Sequence, residues 1–341
     1  MKKFKVAVIG CGKISERHID AVVALETTEL VAVCDIKAER ANATAEKYSV
    51  KAYTDYKELL KTEELDAVHI CLPHYLHTVV ANDVFEYGVN VLSEKPMSIK
   101  YEDAQATVAN AKQKGLFYGV IFQCRYNTPS ALVKKRILDG KLGKVKCART
   151  TLTWSRLDDY YSDSDWKGTW DKEGGGVIID QAIHSLDLAN WFIDSEPVEI
   201  QSSLHNRNHK IMVVEDSAEG LIKYKNGALL SFFAMNNYFI NEPIEIRLYC
   251  ENGTAKLSYN EAEINYNDGS SECDTNKPQK IVTYKGGKEY WGLQHAVQID
   301  RFYKALAGEI PLEISGEEAL KIQKIICSIY ENNDCEIKPK A

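Results

Sequence analysis

The chain has 341 residues, a little over twice the ~150 residues of a common domain, so two domains are expected. Hydrophobic residues make up 45 % and charged residues 27 %, which excludes disordered, collagen-like and disulfide-scaffold classes. The 42 Lys and Arg against 49 Asp and Glu leave a net charge of −7, and that balance offers no electrostatic reason for a nucleic-acid partner.

In chain order, Phe4 to Ile9 reads as a buried strand, followed by a helix from Gly12 to Leu25, a strand from Leu30 to Cys34 and a helix from Ala38 to Tyr48. Further strands are read at Ala67 to Cys71, Val89 to Ser93 and Leu116 to Phe122, with helices at Tyr75 to Tyr87 and Tyr101 to Lys114. Short apolar strands alternating with helices imply βαβ crossovers and a parallel sheet covered on both faces. The rhythm changes after about residue 124. A helix at Pro129 to Leu138 leads into strands at Val145 to Trp154, Val198 to Leu204, Val213 to Tyr224, Ala228 to Asn237 and Ile244 to Cys250. The turn signals Lys225-Asn226-Gly227 and Glu251-Asn252-Gly253 separate hairpin strands. A helix at Gly176 to Ile193 interrupts them, residues 267–289 read as a polar surface loop, and helices at Tyr290 to Ala307 and Gly316 to Tyr330 close the second half. The expected architecture is a doubly wound α/β Rossmann domain, residues 1–123, followed by an α+β domain with a large, mostly antiparallel open sheet, residues 124–341.

Cys11, Cys34, Cys71, Cys124, Cys147, Cys250, Cys273, Cys327 and Cys335 are scattered without a CxxC pair. That fits reduced thiols and a cytoplasmic location better than a disulfide framework or a zinc site. The opening MKKFKVAVIG is broken by Gly10 and lacks a signal peptide's apolar run. No stretch approaches the ~20 apolar residues of a membrane span, so no membrane partner is expected.

Gly10-Cys11-Gly12-Lys13-Ile14-Ser15 follows the first strand and opens the first helix. Gly10 permits a tight turn, Gly12 lets backbone approach a pyrophosphate, and Ser15 is the third small residue. The helix N-terminus adds N–H groups and a favourable dipole. Asp35 lies 20 residues past Ser15, where a carboxylate grips ribose hydroxyls and repels a 2′-phosphate, favouring NAD over NADP. Lys37 and Arg40 soften that preference. The plainer reading of Asp35 is a cap on the next helix.

Ser93-Glu94-Lys95-Pro96 closes a strand at the ligand-binding edge of such a sheet. Lys95 there is either a tuned amine or, with Glu94, a solvated loop charge. Gly174-Gly175-Gly176 precedes an apolar helix on which Asp180, His184 and Asp187 share one face at helical spacing. A histidine so placed is either a general acid/base or a satisfied core histidine.

These residues together resemble the Gfo/Idh/MocA family of nicotinamide-dependent oxidoreductases. Gly10, Gly12 and Ile14 match its GxGxI opening, Glu94, Lys95 and Pro96 its Glu-Lys-Pro motif, and Gly175, Gly176, Asp180 and His184 its GG…DxGxH signature. The resemblance implies that Lys95 contacts the reacting hydroxyl and the nicotinamide ribose. It also implies that His184 is the general acid/base and that Asp180 binds substrate or orients His184. Leu72-Pro73-His74 is similar to the family's Thr-Pro-Asn turn beside the cofactor, and His77 matches a frequent histidine there. His74 and His77 have no third ligand nearby, so no metal is expected. Trp166-Lys167 stands where relatives carry a Trp-Arg that touches the cofactor, and Ala182 replaces a usual Gly.

Between Trp154 and Trp170 the chain carries three Trp, two Tyr and Arg156. Aromatic faces stack on sugars and Arg holds carboxylates or phosphates, while Trp166 and Trp170 read equally well as core. Arg156 and Tyr161 are the substrate-binding candidates, in a pattern that resembles members acting on nucleotide-linked amino sugars. His205, His209 and Lys134-Lys135-Arg136 read as solvated surface.

The expected activity is reversible, NAD-dependent conversion of a hydroxyl to a ketone on a sugar, cyclitol or nucleotide sugar by hydride transfer. An NAD-dependent glycosidase using transient oxidation and a non-enzymatic dinucleotide-sensing regulator are the alternatives. The presence of both Lys95 and His184 argues against the regulator. The resemblance also implies a homodimer or homotetramer.

Overall fold

The structure, a computed structural model, describes residues 3–258, 260–275, 294–333 and 337. It divides into two compact units, Met1–Gln123 with Gln279–Leu320, and Cys124–Pro278 with Lys321–Ala341.

The first unit begins β1 (Phe4–Ile9), α1 (Ser15–Ala24), β2 (Thr28–Cys34), α2 (Ala38–Tyr48), β3 (Lys51–Tyr53) and α3 (Tyr56–Thr62). It continues β4 (Ala67–Ile70), α4 (His77–Glu86), β5 (Asn90–Ser93), α5 (Tyr101–Gln113) and β6 (Tyr118–Val120). The six strands form one sheet in the order β3-β2-β1-β4-β5-β6, all in parallel. This is the expected Rossmann topology, and its central strands are apolar because both faces are covered. Val6, Ala7 and Val8 of β1 and Ala67, Val68 and Ile70 of β4 have no exposed surface. The strand order reverses between β1 and β4, so the carboxyl ends of these strands frame the crevice where such sheets bind ligands. β3 and α3 were not anticipated. β3 is three residues long and largely exposed, so it carries no apolar run.

The second unit contains α6 (Thr128–Leu138), β7 (Val145–Thr153) and α7 (Asp158–Ser162). A π-helical turn at Ile178–Ala182 then runs straight into α8 (Ile183–Ile193). There follow β8 (Pro197–His205), β9 (Ser217–Tyr224), β10 (Leu229–Met235), β11 (Glu245–Cys250), β12 (Gly253–Ser258), β13 (Glu261–Tyr266) and β14 (Ser271–Thr275). The eight strands form a sheet in the order β14-β13-β12-β11-β7-β10-β9-β8. β7 and β10 pair in parallel and the other pairs are antiparallel, as expected for the α+β domain. Both Asn-Gly turns form hairpins, β9–β10 and β11–β12. β14 occupies part of the expected 267–289 loop, and residues 276–289 lie outside the described residues.

α9 (His295–Leu306) and α10 (Gly316–Glu331) follow. The start expected for α9 at Tyr290, and Cys335, lie outside the described residues. α9 belongs to the first unit, not to the second half as its position suggested: Ala296, Ile299, Phe302 and Tyr303 pack into one core with Val6, Val8, Ile19 and Val22. Two surface assignments also fail. Lys134 is buried and donates to Trp191 O at 2.6 Å. His209 is buried between Asp216 and Arg156 O. Each polar tip is inside because it has found a partner there. Among the described residues, no helix is long and apolar enough to cross a membrane.

Candidate active site

The first-unit motifs meet at the carboxyl edge of the parallel sheet. Gly10 follows β1 with φ +97°, and a Cβ there would sit 2.2 Å from Cys71 O at the end of β4. Only glycine fits that position. Gly12 differs: a Cβ on it would meet nothing within 4 Å. Its lack of a side chain therefore serves no internal contact and leaves room beside the start of α1. No side chain caps that helix; the Ser15 and Arg17 N–H groups go to Gly12 O and Ile14 O, and the dipole at the helix start favours an anion beside Gly12. Ser15 Oγ closes the turn by donating to Gly12 O at 2.6 Å. Lys13 is exposed and Ile14 half-buried beside this space. The residues present fit a dinucleotide's pyrophosphate.

Asp35 is buried and accepts the backbone N–H groups of Cys11 at 2.9 Å and Lys37 at 2.8 Å. It thus ties the glycine turn to the end of β2. The bond to Lys37 is a turn just before α2, not a cap on it, because Lys37 itself is the residue that precedes the helix. Burial pushes the neighbouring thiols up, Cys11 to about 11 and Cys34 to about 12, so neither is a thiolate nucleophile.

Leu72-Pro73-His74 leaves β4 and Glu94-Lys95-Pro96 leaves β5, with a cis peptide between Lys95 and Pro96. His77 joins the two loops. It is fully buried, with Nδ1 2.7 Å from Pro96 O and Nε2 2.7 Å from Leu72 O. Both ring nitrogens face backbone carbonyls, so His77 braces the loops and offers no nitrogen to a cofactor or metal. Its expected cofactor contact is corrected to this bracing role. His74 is buried beside it, with ring centroids 5.9 Å apart. Lys95 is half-buried. Glu94 is buried, and Lys95 N donates to its Oε2 at 3.2 Å.

In the second unit the two glycines before the helix have a specific cause. A Cβ on Gly175 would sit 2.0 Å from Tyr330 Oη, and one on Gly176 2.0 Å from Glu215 O. Glu215 Oε1 accepts the N–H groups of Gly176 and Ile178 at 3.0 Å and the Tyr330 hydroxyl at 2.9 Å. A buried carboxylate and a tyrosine thus clasp the start of the helix that carries Asp180 and His184. Burial pushes the Glu215 carboxyl up to about 7. Sequence reasoning missed Glu215 and Tyr330, since neither belongs to a motif.

Asp180 sits in the π-helical turn and His184 in α8. A π turn adds a residue to the helical repeat, so the ~100° spacing assumed from Asp180 onward does not run through it unchanged. Asp187 instead forms a buried two-pronged ion pair with Arg125, at 2.8 and 2.6 Å. Asp180 Oδ2 accepts from Tyr160 Oη at 2.9 Å, Lys167 Nζ at 3.0 Å and Gln181 Nε2 at 2.6 Å. Lys167 therefore spends its charge on Asp180 within the second unit, where it had been expected at the cofactor. Trp166 packs its ring 5.0 Å from that amine. Glu173 is fully buried behind them, and burial, then Asp180, holds its carboxyl well above the usual range. His184 is buried, with 8 % of its surface exposed.

Tyr161, the expected substrate contact, is core. It is buried against Met212 and Val214, and its hydroxyl accepts from Asn236 Nδ2 at 2.7 Å. Successive residues of α7 point about 100° apart, so Tyr160 and not Tyr161 reaches Asp180. Arg156 stacks on Trp154, 4.7 Å from the ring centre, and Nη1 donates to Ser155 O and Asn241 Oδ1. Trp170 donates to Val213 O and packs edge-on against Tyr330, the core reading of that ring.

Residues 4–122 match the model described as "Oxidoreductase family, NAD-binding Rossmann fold", and residues 131–256 match "GFO/IDH/MocA C-terminal domain". The chain belongs to the Gfo/Idh/MocA family. It is accordingly an oxidoreductase with an NAD-binding Rossmann domain. Among curated relatives of this family it is 26 % identical to D-glucoside 3-dehydrogenase of Escherichia coli K12, over 96 % of this chain and 95 % of that protein. A similar solved structure is the WlbA dehydrogenase of Bordetella pertussis in complex with NADH and UDP-GlcNAcA. The TM-score is 0.86 at 25 % identity, with 97 % of this chain and 95 % of that chain covered. The WlbA protein of Chromobactrium violaceum, with the same two ligands, gives a TM-score of 0.84 at 25 % identity over 97 % and 94 % of the chains.

Proposed function

We propose that the protein is an NAD-dependent dehydrogenase that oxidises a secondary hydroxyl of a sugar, with a nucleotide-linked amino sugar or its uronate as the favoured class. The observation that carries the reading is the cradle at Gly12 and the uncapped start of α1, together with Asp35 held buried at the end of β2. The carboxylate at that place favours ribose hydroxyls over a 2′-phosphate, hence NAD over NADP. The substrate class rests on relatives named for oxidising a glucoside at carbon 3 and for binding UDP-GlcNAcA.

Gly10, Gly12, Lys13, Ile14 and Asp35, with Leu72, Pro73, His74 and the Glu94-Lys95 turn, are assigned to holding the dinucleotide. The bound dinucleotide supplies the hydride acceptor. Lys95 in the first unit and His184 in the second are assigned to moving the hydroxyl proton. Asp180, paired with Lys167 and steadied by Tyr160, is assigned to orienting a sugar hydroxyl. A homodimer or homotetramer belongs to the same reading.

The test is reduction of NAD and of NADP across hexoses, inositols, uronates and UDP-sugars. NADH accumulation with a nucleotide sugar supports the reading. Turnover without net NADH would favour the glycosidase, binding without turnover the regulator, and faster NADP reduction would contradict the role given to Asp35.

A further inference from the structure

Behind the Glu94-Lys95 turn, residues far apart in sequence meet in one buried chain of hydrogen bonds. Tyr303 Oη lies 2.8 Å from His69 Nε2, and His69 Nδ1 lies 2.9 Å from His18 Nδ1. His18 Nε2 lies 3.0 Å from Glu94 Oε1, and His295 Nε2 reaches the same oxygen at 3.2 Å. The other oxygen, Oε2, takes the N–H of Lys95. His18, His69, Glu94, His295 and Tyr303 are all buried.

The proton positions follow from the bonds. A neutral imidazole has one donor and one acceptor, and an ionised carboxylate only accepts. His18 must then donate from Nε2, so its Nδ1 accepts. His69 must donate from Nδ1 and accept at Nε2, where Tyr303 donates. Every ring nitrogen of His18 and His69 is satisfied once, with no imidazolium. Burial works against an ionised Glu94, but the donors on His18 and His295 outweigh it and hold the carboxyl well below its usual range. Burial likewise lowers His18 and His69, keeping both rings neutral.

We propose that His18 and His295 are positioning residues for Lys95, acting through the Glu94 carboxylate. They clamp one carboxylate oxygen from α1 and α9, and the fixed carboxylate holds the backbone N–H of Lys95 with the other. The inference rests on the role given to Lys95 above. A misplacement of about 1 Å in a group that meets the reacting atoms costs on the order of 10²-fold in rate.

The direction of the chain separates this reading from its rival. His18, Glu94 and His295 also bring ligand atoms within 4.8 Å of one another. A metal there would need both Nε2 atoms unprotonated, and the relay through His69 to Tyr303 would run the opposite way. The experiment has two arms, neither of which needs a substrate, so it decides the proposal even if no sugar is turned over. In the first, nitrogen NMR of histidine-labelled protein reads the ring tautomers, and elemental analysis after incubation with zinc reads bound metal. The proposal expects the Nε2–H form for His18, the Nδ1–H form for His69, and no stoichiometric zinc. In the second, carbon NMR follows dimethylated Lys95, assigned by its loss in Lys95→Arg. The signal should shift and broaden in His295→Leu and return in His295→Gln, which keeps a donor. Where sugar oxidation is found, kcat should fall by about 10- to 100-fold in His295→Leu with KM little changed. The Nδ1–H form of His18, stoichiometric zinc, or an unmoved Lys95 signal in His295→Leu would each overturn the proposal.

Discussion

Replacing Glu215 by Gln removes a titrating group from the clasp on the glycine pair while keeping the acceptor at Oε1. Oε1 alone accepts from Gly176, Ile178 and Tyr330, and Oε2 adds only a second contact to the Gly176 N–H. In the folded chain burial raises the Glu215 carboxyl from 4.5 to about 7. Between those pH values the folded protein keeps the proton and the unfolded chain has lost it. The native state therefore binds more protons, so stability falls as pH rises from 4.5 to about 7 and is level above that. At about 1.4 kcal/mol per pH unit the loss is on the order of 3 kcal/mol. The group is completely buried, so solvent screening does not reduce it. Glu215→Gln lacks this loss. Urea unfolding of both proteins between pH 5 and pH 8 should show the variant gaining about 3 kcal/mol relative to wild type across the range. Parallel stability curves would refute the assignment of a buried, proton-holding carboxyl at the helix start.

Gly176→Ala puts a methyl 2.0 Å from Glu215 O; thermal unfolding should show destabilisation of about 3 kcal/mol or more, and an unchanged midpoint would count against the clasp. Gly10→Ala meets Cys71 O at 2.2 Å with φ +97°, and NADH titration should show a loss of affinity along with lower stability. Asp35→Ser should weaken NADH binding by about 10- to 100-fold, as for the loss of a charged hydrogen bond, while NADPH binding stays or improves; equal loss of both would mean that Asp35 serves only the turn. Lys95→Ala and His184→Ala should each lower turnover by roughly 10²–10⁴-fold, with NADH affinity nearly intact in His184→Ala, and near-normal turnover in both would end their assignment.

The parallel sheet was legible because its central strands are buried on both faces and read as unbroken apolar runs. The short outer pieces were not. β3 has no buried residue, and β13 buries alternate positions through Ala262, Ile264 and Tyr266, a pattern diluted by its two glutamates. The strand expected from Val213 begins only at Ser217, because Glu215 O accepts from Val177 and Glu215 is committed to the helix start. Motifs whose residues are neighbours in sequence, such as Gly10-Cys11-Gly12 and Glu94-Lys95-Pro96, could be read directly. Partners brought together by folding could not. His18 and His295 meet at Glu94 from separations of 76 and 201 residues, and no local pattern marks them. Tyr161 was preferred to Tyr160 for the same reason: composition names the pair, and only the direction of α7 tells which ring faces Asp180.

The central claim is hydride transfer from a sugar carbon to NAD. Its most direct measurement uses a UDP-sugar, such as UDP-GlcNAcA, deuterated at carbon 3, with mass spectrometry of the cofactor after turnover. The account predicts one deuterium in the reduced nicotinamide and a keto sugar as product, with both lost in Lys95→Ala. Sugar turnover that leaves NAD unreduced and deuterium-free, or conversion unaffected by Lys95→Ala, would contradict it.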